Sequence, residues 1–208
     1  MEVLRTAAGC ELSELGDFGS GDVVLLRENG ACANGWSNDE VTDVGSAGMV
    51  HGPWGNDATD VSLEVTIPEG LTKCEVSWRS WAIDSRDNEV DSLLIDGEEV
   101  WSVPINRPDQ GCQEGWEEGP GDFPNPWGGA EDVCFDLVEV QVPCTGAMTL
   151  NFVSGIDQGE SDESWGFSDV RVVGRPETED EAARRVAIES ANKRGESRTQ
   201  LTRLARLC

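Results

Sequence analysis

Val61, Leu63, Val65 and Ile67 alternate with Ser62, Glu64 and Thr66, after which Pro68, Glu69 and Gly70 turn the chain. A period of two buries one face of an extended segment and leaves the other in water, so a chain punctuated in this way builds sheets. The pattern recurs. Val138, Val140 and Val142 alternate up to Pro143, and Met148, Leu150, Phe152 and Ile156 keep one parity, broken at Ser154. Residues 90–95 and 99–105 flank Asp96-Gly97, a dipeptide suited to the positive φ angles of a tight hairpin turn, which makes them antiparallel neighbours. Residues 74–83 read as a strand whose buried face switches: Val76 and Trp78 share one parity, Trp81 and Ile83 the other, and a bulge near Ser80 accounts for it. With residues 23–27, 48–51 and 166–173 the count reaches about eight strands, the signature of an all-β, antiparallel two-sheet sandwich over residues 1–174. A jelly-roll is the first choice. The strand order is not readable. Residues 106–132, rich in Gly and Pro and without periodicity, form the longest loop, which is either functional or tied down by Cys112.

Residues 175–208 are a different polymer. Thr178 and Glu181 make a capping box ahead of a segment rich in Ala, Glu and Arg, which predicts a helix over 181–193. Its apolar stripe, Ala183, Val186, Ala187 and Ala191, consists of small residues and would bury little. Leu201, Leu204 and Leu207 are too few for a coiled coil. The reading is a helical or poorly ordered tail.

Charge narrows the partners. The chain has 41 Asp+Glu against 15 Lys+Arg, a formal net charge of -26, and the whole of the excess lies before residue 175, since residues 1–174 carry -28 and residues 175–208 carry +2. Nucleic-acid affinity comes from cationic side chains that displace counterions, so nucleic acid is a poor partner, as is an anionic membrane. The apolar runs are far shorter than the roughly 18 residues of a spanning helix. Of the seven cysteines (Cys10, Cys32, Cys74, Cys112, Cys134, Cys144 and Cys208), none forms a C-x-x-C pair or a Cys/His zinc pattern. Up to three disulfides in the body and an odd thiol at Cys208 are the simpler account, with pairing open. That places the chain outside the cell or at its surface. Its first ten residues lack the apolar core of a secretory signal, so it reads as part of a longer exported protein or as lacking its true start.

Two loops concentrate carboxylates. One runs Ile83-Asp84-Ser85-Arg86-Asp87-Asn88-Glu89. The other runs from Asp157 through Glu160, Asp162 and Glu163 to Trp165-Gly166, with Asp169 beyond it. Carboxylates packed that closely repel one another, and with so few Lys and Arg the natural counter-charge is a divalent cation. Calcium, which takes six to eight oxygen ligands in flexible geometry, suits them. The alternative is two solvated acidic turns. The candidate ligands are Asp84, Asp87, Glu89, Asp162, Glu163 and Asp169, with Asp157 in reserve, and a shared site requires both loops to emerge at one end of the sandwich.

These residues also carry a resemblance. Asp84-Ser85-Arg86-Asp87-Asn88-Glu89 resembles a D-S-W-D-x-E element, with Arg86 where Trp is usual. Asp162-Glu163-Ser164-Trp165-Gly166-Phe167-Ser168-Asp169-Val170 resembles the D-E-S-W-G-I-x-D-V/F element of the same lectin-like β-sandwich module, found in surface and secreted proteins of ciliates, algae and bacteria. The resemblance spans about residues 35–173 and includes Gly35-Trp36. It implies a concanavalin- or galactose-binding-like sandwich and an adhesion or glycan-binding role on a glycan or cell-surface glycoprotein.

Catalysis has little support. Sandwich glycosidases need two acids about 5–9.5 Å apart across a sugar bond. Glu89 and Asp91 begin an alternating acidic series that stops at Leu93 and Ile95. The single histidine, His51, beside Gly52-Pro53, reads as a turn residue rather than a general base. Eight tryptophans and no tyrosine leave the indoles as the aromatic resource. Trp78, Trp81 and Trp101 lie on strands and read as core, and Trp165 as an anchor for the acidic loop. Trp36, Trp54, Trp116 and Trp127 lie in Gly-rich loops, where an exposed ring can stack on a sugar face or can simply pin the loop. The leading expectation is therefore a non-catalytic, calcium-stabilised, carbohydrate-binding or adhesion module. The runners-up are a disulfide-bonded acidic matrix domain without a specific ligand and, behind it, a polysaccharide-active enzyme.

Overall fold

The computed structural model describes residues 21–28, 35–107, 111–119 and 133–193. The chain divides into two units near residue 175. The first is an antiparallel two-sheet sandwich of the jelly-roll kind. Among the described residues it has eleven strands: β1 (Val23–Arg27), β2 (Val41–Asp43), β3 (Met49–Trp54), β4 (Asp60–Thr66), β5 (Leu71–Asp84), β6 (Arg86–Ile95), β7 (Glu98–Arg107), β8 (Glu117–Glu118), β9 (Val133–Pro143), β10 (Ala147–Ser154) and β11 (Glu163–Pro176). One sheet runs β2-β3-β11-β5-β9-β8 with β1 also on β11, and the other runs β4-β10-β6-β7. β1 pairs with the far half of β11, around Val172, whereas β3 pairs with its first residues, Trp165 and Phe167. The β6–β7 hairpin turns through Asp96 and Gly97, both at positive φ (52° and 82°), as the dipeptide predicts.

Between the sheets lies a core that includes Val61, Val65, Val76, Trp78, Leu93, Leu150, Phe152, Phe167 and Val172. Phe152 and Phe167, one from each sheet, stack with centroids 4.3 Å apart. The alternating residues read from sequence supply it, since a sheet's inward positions recur every second residue.

The switch of parity in β5 has a different cause from the one expected. β5 pairs with β9 in unbroken register from Lys73 opposite Pro143 to Ile83 opposite Val133, so this pairing has no bulge at Ser80. Cys74, Val76 and Trp78 face the main core. Trp81 and Ile83 face the other way, into a second cluster with Val44, Val50 and Val133 that covers the outer face of this sheet. Near its end β5 is buried on both sides, which erases the alternation.

His51 also departs from expectation. It is a fully buried residue of β3, not of a turn; its Nε2 lies 2.5 Å from Glu28 Oε1, and its ring stacks on Phe167. Trp36 donates Nε1–H to the other oxygen of Glu28 at 2.6 Å. A buried carboxylate with two such partners is a tolerable polar island in an apolar core.

Two disulfides are present among the described residues. Cys74–Cys144 closes 70 residues of chain and Cys112–Cys134 closes 22. The second ties the long loop to β9 through Cys112, one of the two alternatives that its length and composition left open. Cys10, Cys32 and Cys208 lie outside the described residues, as do Trp127 and the leucines at 201, 204 and 207.

The second unit contains α1 (Glu179–Lys193). Its capping box forms as read: Glu181 N–H donates to Thr178 Oγ1 at 3.3 Å, and Thr178 N–H donates to Glu181 Oε2 at 3.0 Å. Ala183, Val186 and Ala187 are exposed, consistent with a stripe too small to bury much. Among the described residues no helix is long and apolar enough to cross a membrane.

Candidate functional site

β5 ends at Asp84 in one sheet and β6 begins at Arg86 in the other, so Ser85 crosses between them at one end of the sandwich. β10 heads for that same end, because it runs antiparallel to β6 from Leu150 opposite Ile95 to Ser154 opposite Asp91, and the chain returns to the first sheet through residues 155–162. Both acidic loops therefore emerge together. They touch: Ser85 Oγ–H donates to the Asp162 carbonyl at 3.1 Å. The turn between β3 and β4 holds the second loop from below. Asn56 N–H donates to the Gln158 carbonyl at 2.9 Å, and Asn56 Nδ2–H donates to the Asp157 carbonyl at 2.8 Å. Gly55 is required there, since a Cβ at that position would sit 2.3 Å from the Glu160 amide nitrogen.

The carboxylates brought together are those of Asp87, Glu89 and Glu163, whose oxygens lie within 4.8 Å of one another. They grade from rim to floor: Asp87 is exposed, Glu89 half-buried and Glu163 wholly buried. A bulge at Asn88, which takes φ 93°, lets Glu89 Oε2 accept the Asp87 amide at 2.7 Å. Arg86 Nε–H points at the same oxygen from inside, at 3.4 Å. Gln158 Nε2–H reaches Glu163 Oε1 at 3.4 Å, while Glu163 Oε2 is buried with no hydrogen-bond partner among the described residues.

The electrostatics follow from this arrangement. Burial raises the Glu163 carboxyl to about 7, helped by the negative charges of Glu89, Asp87 and Asp157 and opposed by Arg86. Asp87 is raised through its hydrogen bond to Glu89 and that neighbour's charge. Burial acts against the charge of Glu89, but hydrogen bonds from Asp87 and the Arg86 guanidinium hold it below its ordinary value. Three carboxyls with one buried orphan oxygen are a hard-oxygen donor set that fits calcium, because the ion supplies the charge and the partner that Glu163 lacks.

Of the other predicted ligands, none belongs to this group. Asp84, at φ 64°, turns its Oδ1 onto the Ser85 amide. Asp162 joins the loops through its backbone carbonyl while its side chain is exposed. Asp169 lies six residues along β11 from Glu163, half exposed, with Arg79 3.6 Å away as its counter-charge. Asp157 approaches closely enough to raise both Asp87 and Glu163.

The indoles are a correction. Trp36 and Trp54 are buried in the core, at 6% and 2% exposure, so neither offers a ring face to a sugar. Trp54 packs on Trp165 and Trp36 on Phe167; Trp54 is the last residue of β3 and not part of a loop, and both rings belong to the core. Trp165 anchors the acidic loop as read, donating Nε1–H to the Ala58 carbonyl at 2.9 Å. Trp116 is half-buried. Its segment leaves β7 at the same end as the acidic cluster, since Arg107 pairs with Arg86, and Gln113 accepts the Asn106 amide.

One element of the site was not foreseen. Arg86, at the position where the resembled motif has Trp, is buried and bonds Asp91 Oδ1 at 2.7 Å, with Ser154 Oγ–H donating to the same oxygen at 2.6 Å. Burial raises the Asp91 carboxyl, and Arg86 opposes the shift. The break at Ser154 in the β10 alternation was the readable signal of this network.

No protein-family model matches the chain, and no curated protein does. Solved structures align with the chain at low similarity. Dimeric latent PorU from Porphyromonas gingivalis aligns with a TM-score of 0.47 at 11% identity, over 83% of this chain but 14% of that one. The carbohydrate-binding module CBM6cm-2 of Cellvibrio mixtus lichenase 5A, in complex with cellotriose, aligns with a TM-score of 0.36 at 11% identity, over 72% of this chain and 97% of that one. The CBM36-1 domain of a xylanase from the hindgut metagenome of Trinervitermes trinervoides aligns with a TM-score of 0.31 at 11% identity, over 74% and 95%. This chain thus spans a small part of PorU and nearly all of the two modules.

Proposed function

We propose that this chain is a non-catalytic, calcium-stabilised module of an extracellular or cell-surface protein, and that it binds a glycan or a glycoprotein carrying one. The observation that carries the reading is the buried Glu163, whose carboxylate lies within 4.8 Å of those of Asp87 and Glu89 where the two acidic loops meet and whose Oε2 has no hydrogen-bond partner among the described residues. Disulfides support the oxidising compartment. The loops at that end offer amide and carboxylate groups and the half-buried Trp116, the polar and stacking groups that sugars require. Asp91, the second member of the abortive acidic series, is sequestered by Arg86 and Ser154, which weighs against a glycosidase pair.

Millimolar calcium over a micromolar Kd should stabilise the fold by about 4 kcal/mol. Thermal melting with calcium and with chelator checks this: the midpoint should rise with the ion, Asp87→Asn should blunt the rise, and Asp169→Asn should not. A glycan array read with calcium and with chelator then tests the ligand. Reproducible binding supports the module. A blank array favours the matrix reading, whose support is the net charge of -26.

A further inference from the structure

The site has a closed floor and an open rim. Among the described residues Glu163 Oε2 is buried with no hydrogen-bond partner, and the Glu163 carboxylate lies within 4.8 Å of those of Asp87 and Glu89; one oxygen of Glu89 is already taken by Arg86 and the Asp87 amide; one oxygen of Glu163 faces Gln158. The side chains therefore offer roughly three to four free oxygens to an ion that takes about six to eight. The missing positions lie on the side of Asp87, the exposed member of the group. Of the indoles expected to recognise a sugar by stacking, Trp36 and Trp54 are buried and Trp116 is half-buried.

We propose that the Asp87 rim is itself the sugar contact: two adjacent hydroxyls of a neutral glycan complete the coordination of the divalent ion held by Asp87, Glu89 and Glu163. This rests on the calcium reading above. Vicinal hydroxyls are uncharged hard-oxygen donors that displace water from an ion without adding charge. A uronate or sulfated glycan would instead meet the field of a chain with net charge -26 and of Asp157 beside the site. The ligand class is therefore neutral sugars with an exposed pair of adjacent hydroxyls.

The test loads the full chain with terbium in place of calcium and compares luminescence decay in H2O and D2O, which counts waters bound directly to the ion. About two or more bound waters are expected without sugar, and about two should leave on saturation with neutral methyl glycosides bearing vicinal hydroxyls, but not with their deoxy analogues. Asp87→Asn should weaken the sugar response by about tenfold or more, while Asp169→Asn leaves it unchanged. A terbium-loaded protein with no exchangeable water, or a water count indifferent to every glycoside, overturns the proposal and leaves calcium as a structural ion. Sugar binding that survives chelator but is lost in Trp116→Ala overturns it in favour of the indole. Failure to bind terbium or calcium at all removes the calcium reading itself, and this proposal with it.

Discussion

Glu163 is a buried carboxyl that gains its proton in the fold more readily than in the unfolded chain, at about 7 against an ordinary value of 4.5. Between those values the native state binds more protons, so the stability contributed by this group is full below the unfolded pKa and is lost as pH rises through the folded one. In chelated protein the melting temperature should fall between about pH 5 and pH 8, and Glu163→Gln should flatten that slope. Calcium, which binds the ionised form, should restore stability at the alkaline end in the wild type alone. Arg86 gives a second prediction at this scale. Truncation to Met leaves Asp91 buried without its guanidinium and should cost about 3–5 kcal/mol in urea unfolding, whereas Arg86→Met with Asp91→Leu should recover much of the loss. Asp87, Glu89 and Glu163 were legible as candidates from their crowding alone. Their selection from a larger set was not, because Asp84, Asp162 and Asp169 crowd equally well in sequence and differ only in where their backbone turns them.

Elements were easier to read than their boundaries. The alternation in β4, β9 and β10 reports inward positions directly, whereas β2 and β8 are too short to carry a period. β5 misled because a second hydrophobic layer covers its end, a fact of tertiary packing that local alternation cannot encode. The disulfides give a testable consequence. Peptide mapping without reductant should recover Cys74 linked to Cys144 and Cys112 linked to Cys134, and on loop-closure grounds loss of the first bridge should destabilise the sandwich by about 4.4 kcal/mol and loss of the second by about 3.4 kcal/mol. In α1, Thr178→Ala removes a cap worth about 1 kcal/mol, so amide exchange should accelerate in the first turn of the helix.

Across the whole molecule, a net charge of -26 makes self-repulsion a standing cost of compactness. In the presence of chelator, raising sodium chloride from about 0.02 M to 0.5 M should raise the melting temperature, because screening weakens repulsion among exposed carboxylates. The calcium response should persist at the higher salt, since the buried oxygens of Glu163 are screened far less. By itself the amino-acid order determined the all-β class, the hairpin at Asp96-Gly97, the capped helix and the acidic character of the two loops, since each of these is set by side-chain period, φ preference or charge within a few residues. The tertiary structure decided which carboxylates meet, that Trp36 and Trp54 turn inward, that His51 pairs with Glu28, and that Arg86 neutralises Asp91. Those outcomes depend on strand order and on the crossing of the chain between sheets, which bring together residues such as Glu89 and Glu163 that lie far apart along the chain, and no local pattern records that distance.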